Sequence, residues 1–256
     1  MVNKSLIKSR FFQSIQTYDE NAFVQKEMSA KLGELIRLFC GSHFNKILEI
    51  GCGTGMLTQK IARNLIYNQL FVNDLVGEYF ELLKGKLNGS FCQIKFFEGD
   101  IETIPWPDQD LDLIVSGATF QWLDDLEKFL KLSAKHLNHE GYICFSSFGQ
   151  DNFIEIRNIT GEGLNYPDYQ KLFSKISDDF EILHFSEEII PVTFKNPVEV
   201  IKHIKYTGVN ALKQQKWNKT ELNDFLMAYE KQCSNEYGVE LTYHPVYGVL
   251  KKRIKP

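Results

Sequence analysis

The residues best placed to do chemistry form one short stretch, Leu48-Glu49-Ile50-Gly51-Cys52-Gly53-Thr54-Gly55, with two acids following at set intervals. Glycines at alternate positions after an apolar run let the backbone turn sharply and come close to a ligand, as a strand-to-helix turn does at the carboxyl edge of a parallel sheet. The dinucleotide fingerprint G-x-G-x-x-G needs glycine at 56, where this chain has Met56, so NAD and FAD lose their third glycine. No Gly-Lys-Ser/Thr follows, which removes the phosphate-loop reading. Asp74 stands 19 residues after Gly55, at the end of the next apolar run, where a carboxylate can accept from both hydroxyls of a ribose. Asp100, in Glu98-Gly99-Asp100-Ile101, ends the third run and can accept from an adenine amino group. Either aspartate alone reads equally well as the cap of a following helix. Three such features on successive strand ends point to a nucleoside.

Other reactive side chains do not assemble. The five cysteines, Cys40, Cys52, Cys92, Cys144 and Cys233, contain no C-x-x-C pair and are odd in number, so neither a disulfide framework nor a zinc knuckle is expected. His136 and His139, three apart near the end of an expected helix, make half a metal site with nothing to complete it; no metal is expected, and helix-end imidazoles suit the dipole.

Holding the glycine turn and both acids at one edge requires parallel strands joined by helices, and the pattern supplies them. Val24, Met28, Leu32, Leu35, Ile36 and Phe39 recur at helical spacing and stop at Gly41. Strands are expected at 46 to 50, 69 to 73, 93 to 97, 111 to 116 and 142 to 148, with helices at 54 to 65, 77 to 87 and about 124 to 137. Parallel neighbours need a crossover, and here the crossover is a helix, so the fold class is α/β with helices on both faces. Beyond residue 150 the reading is an extended segment at 180 to 194, helices at 197 to 206 and 220 to 237, and a final strand at 241 to 253. The two helices interrupt a strand pair, so residues of about 195 to 238 are expected to form an inserted lid over one domain, with 1 to 44 a helical cover and 45 to 150 the cofactor-binding core.

The chain of 256 residues, 43% hydrophobic and 24% charged, suits one domain. A net charge of -4 does not favour nucleic acid or an anionic membrane. With no apolar run long enough to span a bilayer and no leader-like start, a cytoplasmic location is expected.

The set Glu49-x-Gly51-x-Gly53-x-Gly55, Asp74, Gly99-Asp100 and Ser116-Gly117-Ala118 resembles the class I S-adenosylmethionine-dependent methyltransferases over roughly residues 45 to 150. That resemblance implies a Rossmann-like seven-stranded sheet and S-adenosylmethionine as cofactor. It implies that Gly51 and Gly53 border the methionine part, Asp74 with Leu75 takes the ribose, Asp100 with Ile101 frames adenine, and Ser116, Gly117 and Ala118 lie beside the sulfonium. It adds Tyr18, Gln25, Glu49 and Cys52 to the cofactor contacts. Flanking residues narrow it: Phe11, Tyr18-Asp19, Ala22, Val24-Gln25, Phe120-Gln121-Trp122, Gly208-Val209-Asn210-Ala211 and Leu241-Thr242-Tyr243-His244-Pro245-Val246-Tyr247 look like the malonyl-acyl carrier protein O-methyltransferases of biotin synthesis. Families that methylate small carboxylic acids or quinone precursors share the Gln-Trp element, so a free small-molecule acceptor is the alternative, with a non-catalytic S-adenosylmethionine-binding regulator as a third reading. The partner implied is malonyl-loaded acyl carrier protein or malonyl-coenzyme A.

A carboxylate is already ionised at neutral pH, so its methylation needs alignment and loss of water rather than a general base, and no acid/base residue is nominated. It does need a cation, and planar arginine suits it. Of the five arginines, Arg10 falls in a mobile start, Arg37 and Arg63 on covering helices and Arg253 at the end of the last strand, which leaves Arg157 after the fifth strand. A surface arginine paired with a nearby Glu is the bland alternative. Tyr18 and Gln121 are expected to close the pocket by hydrogen bonds, and Trp122 as an apolar wall. Residues 195 to 219 carry net +5 against -9 for the remainder, so Lys202 and Lys205 are expected to dock an acidic carrier, unless the run is only a solvated face.

Overall fold

Strands buried on both faces read as unbroken apolar runs, and the central strands here do so. The computed structural model describes residues 3–87, 93–107, 110–208 and 217–254. In it β1 (His43–Ile50), β2 (Ile66–Asp74), β3 (Ile94–Glu98), β4 (Leu111–Gly117) and β5 (Leu137–Phe148) lie parallel, and β10 (Pro245–Lys252) runs antiparallel between β5 and β6 (Phe180–Glu187). The seven-stranded order is β3-β2-β1-β4-β5-β10-β6. Alternation along each strand feeds two cores: Ile47, Leu113, Val115 and Val249 join one, and Leu48, Ile50, Ile114 and Leu250 the other.

Register decides what meets at the carboxyl edge. Ile50 is level with Asn73 and with Ser116, and Asp74 with Glu98. The residues that follow, Gly51, Leu75, Gly99 and Gly117, therefore emerge side by side where strand order reverses between β1 and β4, the usual ligand crevice of an open α/β sheet. Helices α3 (Met56–Asn64), α4 (Tyr79–Lys86) and α5 (Leu126–His136) make the crossovers. The helix expected from the spacing of Val24 to Phe39 is α2 (Phe23–Phe39), with Val24, Met28, Leu32, Leu35 and Ile36 buried and Gly41 just beyond it at φ 85°.

Several elements differ from the pattern reading. The polar start, with Arg10, is an 18-residue helix, α1 (Lys4–Asn21), capped by the Asn3 side chain, which accepts from Leu6 N. Two short helices, α6 (Ile154–Thr160) and α7 (Tyr169–Ile176), follow β5. His139 lies in β5 and not at a helix end. Residues 180 to 194 divide into β6 of the main sheet and β7 (Ile190–Phe194) of a second one. The expected final strand also divides at His244: β9 (Gly238–Tyr243) pairs with β7 and with β8 (Ser234–Asn235), and only β10 enters the main sheet. The break falls where Gly149 N donates to His244 O, and Pro245, which has no N–H, takes the first strand position. The inserted unit is thus residues 188 to 244, with β7, α8 (Pro197–Tyr206), α9 (Lys219–Cys233), β8 and β9. Cys92, Val209, Asn210, Ala211, Lys213 and Lys216 lie outside the described residues. No helix among the described residues is long and apolar enough to cross a membrane.

Candidate functional site

The glycine turn is held from below by the neighbouring strand. Gly51 N and Cys52 N both donate to Asn73 O, at 2.9 and 3.1 Å. Gly53 N donates to Asp74 Oδ2 at 2.8 Å, and Val76 N to Asp74 Oδ1 at 2.9 Å. Gly51 and Gly53 have φ of 68° and 50°, the left-handed region that penalises a side chain. A Cβ at 51 would stand 2.1 Å from Thr119 Oγ1, whereas one at 53 would meet nothing within 4 Å. Gly53 is therefore open toward a ligand. The third loop is tied to the same strand, since Asn73 Nδ2 donates to Phe97 O and Gly99 O.

Over this edge lies a cavity, where open α/β sheets take their ligands. Gly51, Gly53, Asp74, Leu75, Asp100, Ile101, Gly117 and Ala118 line it from the sheet; Tyr18, Gln25, Gln121 and Trp122 line it from elsewhere. An adjoining compartment is lined by Tyr18, Gln25, Glu49, Gly51, Cys52, Gly53 and Ser146, among others. The structure thus brings together every residue expected at the cofactor except Ser116, which lines neither space. It is fully buried, and its Oγ donates to Ile50 O, clasping β4 to the end of β1.

Within the expected cover, sequence reasoning missed the first helix and the face it turns to the cavity. Lys4, Ile7, Phe11 and Tyr18 of α1 line the cavity, and their spacing of three, four and seven is one helical face that could have been found. Phe11 meets Trp122 edge to face at 5.7 Å. Lys4 Nζ lies 2.7 Å from Glu102 Oε2 and 3.4 Å from Asp100 Oδ1, drawing the helix start onto the third loop. Asn73, Tyr79 and Thr119 also line the cavity without having been singled out.

The polar groups divide into satisfied and orphaned. Gln121 Nε2 donates to Ala118 O and its Oε1 accepts from Ser147 Oγ, so an amide expected to bind ligand is engaged within the protein. Trp122, expected as an apolar wall, has a buried Nε1–H with no partner among the described residues; Gln25 Oε1 and Glu49 Oε2 are likewise unpartnered. Burial pushes the Glu49 carboxyl up to about 8, with the nearby Asp74 charge adding to it. Burial also lifts Asp74, to about 6, against the backbone N–H groups of Val76, Gly53 and Leu75 that stabilise its charge. The phenols of Tyr18 and Tyr79 are pushed above their usual range by burial and stay protonated donors. Buried acceptors without donors call for a ligand that brings hydroxyls and a cationic amine.

Three expected residues stand apart. Arg157, on α6, lines a separate open space with Gln150, Glu162, Asn165 and Tyr166. Among the described residues the cation lining the main cavity is Lys4, not Arg157. Lys202 and Lys205 are exposed on α8, Lys202 Nζ lying 2.8 Å from Glu199. That helix is not over the pocket: α1 intervenes, with Thr17 Oγ1 donating to Tyr206 O. Among the described residues no group of three or more His, Cys, Asp or Glu gathers as a metal site.

A family model described as a methyltransferase domain matches residues 48–145. A malonyl-[acyl-carrier protein] O-methyltransferase of Bacteroides thetaiotaomicron is 37% identical, over 98% of this chain and 99% of its own length. One of Calditerrivibrio nitroreducens is 38% identical over 96% of each. Among solved structures, YcgJ of Bacillus subtilis superposes with a TM-score of 0.64 at 14% identity, covering 88% of this chain and 98% of that one, which shows the same fold. A putative methyltransferase of Bacillus halodurans gives 0.63 at 12% identity, covering 88% and 99%.

Proposed function

The chain belongs to the malonyl-[acyl-carrier protein] O-methyltransferase family, and from that premise we propose that it methylates the free carboxylate of a malonyl thioester on acyl carrier protein, in biotin synthesis, with S-adenosylmethionine as donor. The observation that carries the donor assignment is the set of buried acceptors at the β1 and β2 ends: Asp74 beside the cavity floor, and the unpartnered Glu49 Oε2 and Gln25 Oε1 in the adjoining compartment. A ribose and an α-ammonium would satisfy them. When bound, S-adenosylmethionine supplies a methyl carbon activated by a sulfonium.

This chain's residues then orient and dehydrate. Asp74 holds the ribose end, and the backbone at Gly53 leaves room for the ligand to approach. Phe11, Trp122 and Phe148 exclude water from the cavity, which strengthens attraction between a carboxylate and a cation. Tyr18, as a neutral phenol, together with the Trp122 N–H that has no partner among the described residues, offers donors to an anionic oxygen without competing for a proton, while Tyr79 gives its proton to Phe11 O. No base is needed. Arg157 is proposed as a cation that receives the acid at the separate opening it lines, and Lys202 and Lys205 as carrier contacts.

The test is methyl transfer from labelled donor to malonyl and acetyl thioesters of acyl carrier protein and of coenzyme A, and to free malonate. Transfer to the malonyl thioesters, most efficiently on the carrier, and not to the acetyl thioesters or free malonate, is expected. Transfer to free malonate at equal efficiency would replace the carrier substrate by a small molecule, and donor binding without transfer to any of them would make the chain a binding protein.

A further inference from the structure

We propose that Cys40 and Cys144 are an oxidisable thiol pair: hydrogen peroxide reaching Cys40 converts the two into a disulfide that ties α2 to β5. Cysteine spacing does not mark this pair, since its members stand 104 residues apart. It is a modification site independent of the methyl-donor reading.

Cys40 caps the C-terminal end of α2, and Cys144 lies within β5. Their sulfurs are 3.4 Å apart, so one thiol donates to the other. A further approach of about 1.4 Å reaches bonding distance. Cys144 is buried at 0% exposure, level with Val115 of β4 and Val249 of β10, and cannot move without disturbing the sheet. The give lies with Cys40, where the helix ends and Gly41 follows at φ 85°. Shifting that residue disturbs no further helical turn. Cys52, at the glycine turn, and Cys233, at the end of α9, sit on other elements.

Exposure sets the order of events. Cys40 is partly exposed and meets the oxidant first. Its thiolate sulfur takes one peroxide oxygen as a sulfenic acid, the O–O bond breaks, and the hydroxide released takes the proton that Cys40 gave up. The Cys144 sulfur then attacks the Cys40 sulfur. The S–S bond forms, the S–O bond breaks, and the Cys144 proton leaves with the hydroxyl as water. Two thiols lose two electrons, and one peroxide gains them to become two waters. Burial holds the Cys144 thiol well above its ordinary range, with the Cys40 thiol beside it adding to this, so Cys144 keeps its proton until that step and resolves rather than initiates. The bond closes a long loop, where a crosslink restricts the unfolded chain most. Gln25, which lines the donor compartment from the same helix, lies roughly 22 Å along it from Cys40, so the crosslink stays clear of the site.

The experiment reduces the full chain with a dithiol, removes the dithiol and adds hydrogen peroxide. The protein is expected to lose the mass of two hydrogens, to yield on digestion a peptide joining Cys40 to Cys144, and to melt roughly 5 to 10 °C higher. Fresh dithiol should reverse all three changes. Under the same treatment Cys40→Ser is expected to leave Cys144 a thiol, and Cys144→Ala to hold Cys40 as a sulfenic acid that dimedone labels. An unchanged mass overturns the proposal, as does a linked peptide containing Cys52, Cys92 or Cys233, a linkage between two copies of the chain, or conversion of Cys40 to a sulfinic acid without linkage. Oxidation of Cys144 in Cys40→Ser overturns the assigned order. Should Cys144→Ala not fold, the linked peptide and Cys40→Ser decide.

Discussion

Asp74 already holds the glycine turn, its two oxygens accepting from Gly53 N and Val76 N, and the proposed ribose contact would use the same carboxylate. Asp74→Ala is therefore expected to cost about 1.5 to 3 kcal/mol of S-adenosylhomocysteine affinity by calorimetry, with a smaller fall in thermal midpoint while the fold survives. Glu49 makes the same site pH-sensitive. Its carboxyl, raised to about 8 from 4.5, retains in the folded protein a proton that the unfolded chain has released. The unliganded protein should thus lose stability as pH rises from about 4.5 to about 8. A cationic donor favours the ionised carboxylate, so affinity should rise across that window. Glu49→Gln is expected to flatten both trends in thermal and binding titrations at about pH 6 and about pH 8.5. At Arg157, Lys keeps charge but loses the planar fork, so a several-fold rise in KM for the malonyl substrate is expected with donor affinity unchanged. Unaltered KM in Arg157→Ala would move the carboxylate partner elsewhere.

The strand-to-helix turn, as an element, separates two kinds of glycine. At Gly51 a methyl group meets Thr119 at 2.1 Å, whereas at Gly53 it meets nothing within 4 Å. Both positions carry positive φ, worth about 1–2 kcal/mol against any side chain. Gly51→Ala adds a forced shift of Thr119, about 1–3 kcal/mol more. Gly51→Ala is therefore expected to lower the thermal midpoint more than Gly53→Ala, and Gly53→Ala to lose donor affinity well beyond its loss of stability because its methyl would stand in the open space assigned to the proposed donor. Calorimetry and thermal melts on both variants separate the effects. Equal melts would show that Thr119 yields freely.

Across the whole molecule the layers run from sheet to α1 to α8, so the proposed carrier docking on α8 would act through α1 rather than directly on the cavity. Lys195, Lys202, Lys205 and Lys219 are exposed, and Glu199 is half-buried beside Lys202. Reversing Lys202 and Lys205 to Glu is expected to raise KM for the carrier-linked substrate several-fold at low salt and to spare the coenzyme A thioester. The difference should fade as the Debye length falls from about 10 Å at 0.1 M to about 3 Å at 1 M salt. Steady-state kinetics at both salt levels checks it. Equal losses for both thioesters would put the docking surface on another face.

Local chemistry was legible from the sequence. Alternating glycines and strand-end acids in Glu49 to Gly55, Asp74 and Asp100 depend on backbone freedom and strand period, which neighbouring residues set, and the residues of that turn and those strand ends meet as the register requires. A helical cover over residues 1 to 44 was legible, but the inner face of α1 was not, because that helix is weakly amphipathic and its face gains meaning only when Lys4, Phe11 and Tyr18 find Asp100, Trp122 and the cavity. Residues 241 to 253 show the same limit: unbroken strand-formers from Leu241 onward conceal a change of sheet at His244, made by hydrogen bonds to Gly149 and Asn152 more than 90 residues away. Gln121 and Arg157 were placed correctly along the chain and assigned by type, yet the partner of one amide and the cavity beside one guanidinium depend on how distant elements pack. Sequence by itself determined the sheet, its ligand edge and the chemical character of that edge. Only the tertiary structure decided which polar atoms remain free there, since satisfaction is a property of neighbours in space.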